Sequence, residues 1–148
     1  MVSLDVNLVT QKIIGCAYEV SNTLGTGFVE KVYENALAHQ IRKSASFSVA
    51  QQHPIKVSYD GVVVGEFFAD MLVQEKVIVE LKAVSMLKDE HIAQALNYLR
   101  ASGLEICLLI NFGQSKIEIK RLRSHHSWKK NLICESFYPI YLRSSVVN

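Results

Sequence analysis

The chain has 148 residues, 49% of them hydrophobic, and a formal net charge of +2 at pH 7, which fits a single domain with a substantial core. No apolar run is long enough to span a bilayer and the start lacks a signal peptide pattern, so we expect a soluble, cytoplasmic protein that does not insert into a membrane. Its three widely spaced cysteines indicate reduced thiols rather than a disulfide or a zinc site.

Two helices are predicted at the start of the chain. Ser3 is a candidate N-cap for a helix whose apolar positions recur at helical spacing to about Leu24. The following Gly25-Thr26-Gly27 supplies the backbone freedom that a chain reversal requires. A second helix is predicted over about residues 28–43.

Strand patterns follow, beginning near residue 47. His53-Pro54 indicates a bulge or a sheet edge, because proline cannot donate to a central ladder. Asp60-Gly61 predicts a tight hairpin into a strand that ends near Val73. A third helix over about 88–102 precedes a buried strand at 106–110 and an alternating strand at 116–120. The order α-α-β-β-β-α-β-β predicts an α/β fold, one mixed β-sheet flanked by helices.

Three charged residues interrupt the apolar strands around the predicted turn at 74–76. If that turn has three residues, Val73 faces Val77 and Asp70 lies opposite Glu80. Strict alternation then places Asp70, Glu80 and Lys82 on one face. It places these apolar residues on the other face: Phe67, Ala69, Met71, Val73, Val77, Val79 and Leu81.

Such a cluster of buried charges requires a physical explanation. An unpaired charge in a covered sheet costs several kcal/mol, roughly, before compensation. A divalent metal ion with a substrate phosphate is the explanation we favour. The alternative is a structural ion pair of Lys82 with Asp70 or Glu80, which explains two of the three charges and leaves the second acid without a partner.

Three motifs occur together in the same order as these elements. They are Gly27-x-x-Glu30-x-x-Tyr33, then Asp70 with Glu80-Leu81-Lys82, then Gln94-x-x-x-Tyr98. The set resembles the PD-(D/E)XK nuclease superfamily and, within it, the family named for its GxxExxY motif. The likeness spans about residues 13–122. It implies a restriction-endonuclease-like fold, with residues 1–148 as a single nuclease-like domain and 123–148 as a C-terminal extension.

The resemblance also implies a metal site. Asp70 and Glu80 would hold Mg²⁺ or Mn²⁺, and the carbonyl of Leu81 would be a further ligand. Lys82 would orient the attacking water or offset charge in the transition state. Glu30 would add a third carboxylate or hold a metal-bound water.

The remaining motif residues have separate expected roles. Gln94 and Tyr98, one helical turn apart, would present polar groups to the same cleft. Tyr33 is predicted to be a core aromatic with a bonded hydroxyl rather than a site residue. Phe68 and Ile92 stand where many members of the superfamily have Arg and Glu, which puts substrate contact or activity in question.

The sequence therefore predicts a metal-dependent nuclease that hydrolyses phosphodiester bonds of DNA or RNA. A catalytically inactive nucleic-acid-binding or protein-interaction module is the alternative. Residues from 111 onward have a net charge of +5 and the first 110 a net charge of −3, a weak indication of a polyanionic partner. An edge strand near Ile117 and Ile119 could support a homodimer. The choice between DNA and RNA, and between endo- and exonuclease action, stays open.

Overall fold

The computed structural model of the chain describes residues 4–124. Its elements follow the predicted order: α1 Val6–Leu24, α2 Glu30–Ala45, β1 Val49–Tyr59, β2 Val62–Val73, β3 Val77–Lys82, α3 Asp89–Ser102, β4 Ile106–Asn111 and β5 Glu118–Arg123. The predicted N-cap Ser3 and most of the predicted C-terminal extension lie outside the described residues. Among the helices that are described, none combines the length and the hydropathy of a membrane-spanning segment.

The five strands form one mixed sheet in the order β1-β2-β3-β4-β5. The β3–β4 pair is parallel and the other pairs are antiparallel, so α3 serves as the crossover between the two parallel strands. Helices α1 and α2 cover one face and α3 covers the other. Both edges agree with prediction: β1 carries His53-Pro54, and β5 contains Ile119.

The connection between α1 and α2 is fixed by local hydrogen bonds. Helix α1 begins after Asp5, whose carboxylate accepts the N–H of Asn7 at 2.9 Å, and it ends at Gly25 with φ 69°. The Tyr33 hydroxyl donates to the Gly25 carbonyl at 2.6 Å and accepts from the Phe28 N–H at 3.3 Å. Tyr33 is fully buried, which confirms its predicted core role. The start of α2 is thereby held in place.

The turn between β2 and β3 has the predicted register, with Val73 paired to Val77. Gln74 and Glu75 adopt φ values of 54° and 55°, a region that residues with side chains disfavour. The side-chain oxygen of Gln74 accepts the Ser48 N–H at 2.6 Å, and the Gln74 N–H donates to the Ser48 carbonyl at 3.0 Å. Contacts with the chain entering β1 therefore stabilise a turn that its own sequence does not favour.

The predicted faces of β2 are wrong before Asp70. Ala69 packs in the core cluster on the α3 side, with Leu72, whereas Met71 packs with α1 and α2. The pairing of β2 is irregular on both sides at this point: Gln52, with φ 53°, is missing from the β1–β2 ladder, and the β2–β3 ladder ends at Met71. A left-handed residue inside a strand disturbs the pleat, so strict alternation does not continue past this point.

Candidate functional site

The β2–β3 ladder ends where the two acidic residues begin. Its backbone pairs run from Val73–Val77 to Met71–Val79. Beyond them, a Glu80 carboxylate oxygen accepts the Asp70 N–H at 2.8 Å, and an Asp70 carboxylate oxygen accepts the Leu81 N–H at 2.7 Å. Side-chain oxygens therefore replace backbone carbonyls as the partners of these N–H groups. The predicted proximity of Asp70 and Glu80 is present in the fold.

The two acids differ in their access to water, and Asp70 is the less buried of them. Glu80 is 5% exposed. Burial and, to a smaller extent, the negative charge of Asp70 raise the pKa of Glu80 from 4.5 to about 8, against the lowering effects of the Asp70 N–H and of Lys82. Burial also raises the pKa of Asp70, against the bond from the Leu81 N–H. The charges of both acids would be stabilised by a bound cation.

Lys82 follows Glu80 by two residues and is half-buried. Within residues 4–124, its ammonium lies within 4.0 Å of no carboxylate, so the predicted alternative of a structural ion pair with Asp70 or Glu80 is wrong. The positive charge still acts on the site, because it lowers the pKa of Glu80. Lys82 therefore lies near the acids without neutralising either of them.

Glu30 is the first residue of α2 and its side chain is exposed. Its charge raises the pKa of both Asp70 and Glu80, which locates it in the same region. In the described part of the chain, no three Asp, Glu, His or Cys side chains are close enough together to hold a metal ion. The expectation of Glu30 as a third direct carboxylate ligand is thus not supported by the geometry.

The donor set formed by Asp70, Glu80 and Leu81 still fits a hard cation. Mg²⁺ commonly binds one or two carboxylates and keeps several waters, so two acids suffice. The Leu81 N–H is directed at Asp70. In an extended strand the N–H and C=O of one residue face the same neighbouring strand, so the Leu81 carbonyl is directed toward β2 as well.

Glu34 and Gln52 join the site although neither was predicted as a site residue. Glu34 is 3% exposed, and its carboxylate accepts from Lys31 at 3.1 Å, from Gln51 at 2.7 Å and from Gln52 at 2.9 Å. The Gln52 amide nitrogen also lies 3.5 Å from an Asp70 carboxylate oxygen. Hydrogen bonds thus connect α2 to Asp70 through β1.

The sequence contained one signal for the first of these residues. Glu34 lies four positions after Glu30, which places both acids on one helix face. No comparable signal existed for Gln52, because its contact depends on an irregularity of β1 that the local residues do not specify.

The two residues of the α3 motif have different environments. Tyr98 is 7% exposed, and its ring lies 5.7 Å from that of Phe67. Burial raises the pKa of Tyr98, and the charges of Glu80 and Asp70 raise it further, so Tyr98 borders the acidic pair. Gln94 is exposed one turn earlier, and within residues 4–124 it forms no hydrogen bond to the acids.

The loop that follows Lys82 is held by a second buried polar group. Asn111, fully buried at the end of β4, accepts the N–H groups of Val84 at 3.0 Å and Gly113 at 2.9 Å, and donates to the Val84 carbonyl at 3.0 Å. A Cβ on Gly113 would lie 2.1 Å from the Val84 carbonyl oxygen, so only glycine fits there. The structure thereby adds Asn111, at the end of an apolar run, as a residue that supports the site.

Comparisons with known proteins identify the family of the chain. The sequence model of the PD-(D/E)XK nuclease superfamily matches residues 7–122. No curated protein sequence matches the chain significantly. Among solved structures, an alkaline exonuclease (LHK-Exo) from Laribacter hongkongensis is similar, with 16% sequence identity and a TM-score of 0.51 over 78% of this chain and 66% of that one.

The crystal structure of SSO0001 is also similar, with 13% identity and a TM-score of 0.49 over 74% of this chain and 60% of the other. The chain therefore spans less than two thirds of the length of each of these two proteins. At such low identity the likeness to the exonuclease concerns the fold alone. With the superfamily match and the observed element order, it confirms the predicted restriction-endonuclease-like fold.

Proposed function

Because the chain belongs to the PD-(D/E)XK nuclease superfamily, we propose that it hydrolyses phosphodiester bonds of DNA or RNA with the help of Mg²⁺ or Mn²⁺. One observation carries the proposal: Asp70 and Glu80 are linked reciprocally at the end of the β2–β3 ladder, where burial and mutual repulsion raise the pKa of Glu80 to about 8. Such perturbed carboxylates, left without a cationic partner in direct contact, are typical of metal-binding catalytic sites.

The residues that would hold the metal are Asp70, Glu80 and the carbonyl of Leu81. All three offer oxygen donors, which Mg²⁺ and Mn²⁺ prefer over nitrogen and sulfur. When bound, the ion would supply Lewis acidity toward the phosphodiester and a lower pKa for a coordinated water. The two acids would have to release the proton that burial favours, so metal binding and deprotonation are coupled.

The neighbouring side chains would position the reactants. Lys82 is close enough to act electrostatically on Glu80 and is not committed to an ion pair, so its ammonium would orient the water or offset charge on the phosphoryl oxygens. Glu30 would hold a water of the metal rather than the metal itself. Tyr98 would contribute its hydroxyl from α3. The exposed Gln94 would reach the substrate rather than the metal.

Glu34 and Gln52 would act through Asp70. The Gln52 amide joins the Asp70 carboxylate to the buried Glu34, which Lys31 and Gln51 also hold. A carboxylate ligand that is itself hydrogen-bonded keeps its orientation, and such supporting partners affect metal affinity by roughly 10- to 100-fold. Both are therefore proposed positioning residues.

Several finer assignments belong to the same proposal. The first is membership of the GxxExxY family, supported by the placement of Gly27, Glu30 and Tyr33 around the start of α2. The second is a single nuclease-like domain with 123–148 as a C-terminal extension. A cytoplasmic location and a homodimer formed through the β5 edge are further expectations. The alternative function is a module that binds nucleic acid without cleaving it, which the apolar and half-exposed Phe68 favours.

A nuclease assay with matched variants tests the proposal. Purified protein would be incubated with single- and double-stranded DNA and RNA in Mg²⁺ or Mn²⁺. Asp70→Asn and Lys82→Ala should abolish cleavage, whereas Glu75→Gln, which removes an exposed acid at the other end of the same hairpin, should retain it. Cleavage that persists in Asp70→Asn would contradict the proposed site. Binding without cleavage by the wild type would establish the alternative.

A further inference from the structure

An exposed aromatic ring lies on the same strand as Asp70 and contacts α3. Phe67 precedes Asp70 by three residues on β2, roughly 10 Å along a strand. Its side chain remains 46% exposed, although its ring contacts that of Tyr98 with a centroid distance of 5.7 Å and an angle of 41° between the planes. Tyr98 in turn packs in the cluster that contains Ala69, one residue before Asp70, and Ile78, two residues before Glu80.

This arrangement gives the ring a fixed position and a free surface. Tyr98 is almost fully buried and supports one side of Phe67, so the ring loses little further rotamer freedom when a ligand covers it. Burying an aromatic side chain removes about 150–250 Å² from water, and nearly half of the Phe67 side chain is still accessible. A ligand that offers a flat apolar face would be bound here.

The described residues have no excess of positive charge that would favour recognition through the duplex backbone alone. Residues 4–124 contain thirteen Lys and Arg residues and thirteen Asp and Glu residues, so this part of the chain has no formal net charge. Proteins that hold duplex DNA by its backbone typically make about 6–10 phosphate contacts with basic side chains. Near the acids, Lys31 is already paired with Glu34 at 3.1 Å, and Lys82 is the nearby cation without an ion pair among the described residues.

We propose that Phe67 stacks on an unpaired base next to the scissile phosphate, and that the substrate of this site is single-stranded nucleic acid. The inference rests on the proposed function, because it places the phosphate at Asp70 and Glu80. Bases inside a duplex are stacked on one another and offer no face to the ring, whereas an unpaired base does. Stacking platforms of this kind tolerate any base, which implies little sequence preference.

Fluorescence anisotropy of the full chain tests the proposal independently of cleavage. The probes are a labelled oligothymidylate of about 16 nucleotides and a blunt duplex of the same length, measured with Ca²⁺ and again with EDTA. Phe67→Leu keeps an apolar contact with Tyr98 and removes the ring. It should weaken binding of the single strand by roughly tenfold and leave binding of the duplex unchanged. Phe67→Tyr keeps the ring and should retain wild-type affinity.

Tyr59→Leu provides the matched control. Tyr59 is an aromatic residue that is 75% exposed at the tip of the β1–β2 hairpin. It pairs with Val62, eight residues before Asp70 and thus roughly 26 Å away along β2. Its substitution should leave oligonucleotide binding unchanged. Thermal melting of each variant would verify that it is folded. If Phe67→Leu does not fold, Phe67→Tyr still tests the proposal, because a loss of affinity in Phe67→Tyr, which keeps the ring, would contradict stacking.

The outcomes separate this proposal from the proposed function. Equal or tighter binding of the duplex, or wild-type binding by Phe67→Leu, would overturn stacking even if the enzyme cleaves. A change in the sedimentation of Phe67→Leu with unchanged oligonucleotide binding would assign the ring to a contact with another copy of the chain and would also overturn it. A selective loss of single-strand binding in a protein that cleaves nothing would support stacking and refute the nuclease activity.

Discussion

Two buried polar groups lie at the carboxyl end of the central strands, and they differ in kind. Asn111 at the end of β4 is a neutral amide whose oxygen and nitrogen bind the backbone of the loops after β3 and β4. Asp70 and Glu80, one strand away, are acids that bind backbone N–H groups of each other's strands. In the described region no buried side-chain nitrogen or oxygen lacks a hydrogen-bond partner, so both groups are satisfied in this respect.

The difference lies in charge. Four hydrogen bonds, the fourth to the Glu118 carboxylate at 3.3 Å, satisfy the Asn111 amide, which itself has no charge. Two N–H groups cannot neutralise two carboxylates, and burial keeps water from doing so, as the raised pKa of Glu80 indicates. The amide cluster therefore stabilises the fold, whereas the acidic pair reduces stability unless a cation binds. This contrast distinguishes a structural polar group from a candidate site.

The largest expected effect concerns the acidic pair itself. Glu80→Gln keeps the shape and an acceptor for the Asp70 N–H but removes the charge that would hold the metal. Cleavage should fall by about 10³-fold or more, because several kcal/mol of transition-state stabilisation depends on the ion. At pH 8 without metal, the same variant should unfold at a higher temperature than the wild type. If Glu80→Gln lost stability as well as activity, the acidic pair would stabilise the fold as the Asn111 amide does, which would contradict this prediction.

The second prediction addresses the amide cluster. Asn111→Ala leaves the N–H groups of Val84 and Gly113 without their partner, so the free energy of unfolding should fall by about 3 kcal/mol. Urea denaturation measures this change. Gln114→Ala is the control: Gln114 donates to the Ser85 carbonyl of the same loop at 2.6 Å but is more accessible to water, so its loss should cost less than about 1 kcal/mol. An equal decrease in the free energy of unfolding in Asn111→Ala and Gln114→Ala would indicate that the burial of Asn111 does not stabilise the loop.

The third prediction follows from the titration of Glu80. Its pKa of about 8 in the folded chain lies above the ordinary 4.5 of the unfolded chain. Between these pH values the folded state retains a proton that the unfolded state releases, so stability without metal should decrease as pH rises from about 4.5 to 8. The slope should approach about 1 kcal/mol per pH unit in EDTA and should be smaller in Glu80→Gln.

Calorimetry with Mn²⁺ sharpens the same test. Metal binding near pH 7 should release protons, because the carboxylates must be ionised to bind the ion. The number of protons released per bound ion is measured by repeating the titration in buffers with different ionisation enthalpies. Affinity should increase toward pH 8. Binding without proton release, or a wild-type stability that rises with pH over this range, would show that Glu80 is already ionised in the metal-free protein.

The smallest expected effect separates two adjacent glutamines. Gln51 and Gln52 both donate to Glu34, but only Gln52 also reaches Asp70. Gln52→Ala should therefore weaken Mn²⁺ binding by about tenfold, whereas Gln51→Ala should affect it little. Calorimetric titration of both variants measures the difference, and the pH dependence of binding should shift only in Gln52→Ala. Equal affinities would mean that Gln52 supports the strand and not the site.

The sequence predicted the parts of the site that depend on local patterns. The apolar runs on either side of 74–76 predicted the pairing of Val73 with Val77, which brings Asp70 to Glu80, although contacts with Ser48 stabilise the turn itself. The hairpin at Asp60-Gly61 follows from residues that readily adopt positive φ, which both do at 52° and 76°. Periodicity within a strand or a helix is a short-range property, so it is visible in the chain alone.

Only the tertiary structure determined which polar groups support the acids. Glu34 reaches the site because α2 packs beside β1. Gln52 reaches it from the position in β1 that lies opposite Asp70, where the backbone of β1 is irregular. Ala69 lies on the α3 side, against the predicted alternation. Asn111 contacts Val84 across 27 residues of chain. Such contacts join segments that are distant in sequence, and their geometry depends on how whole elements pack.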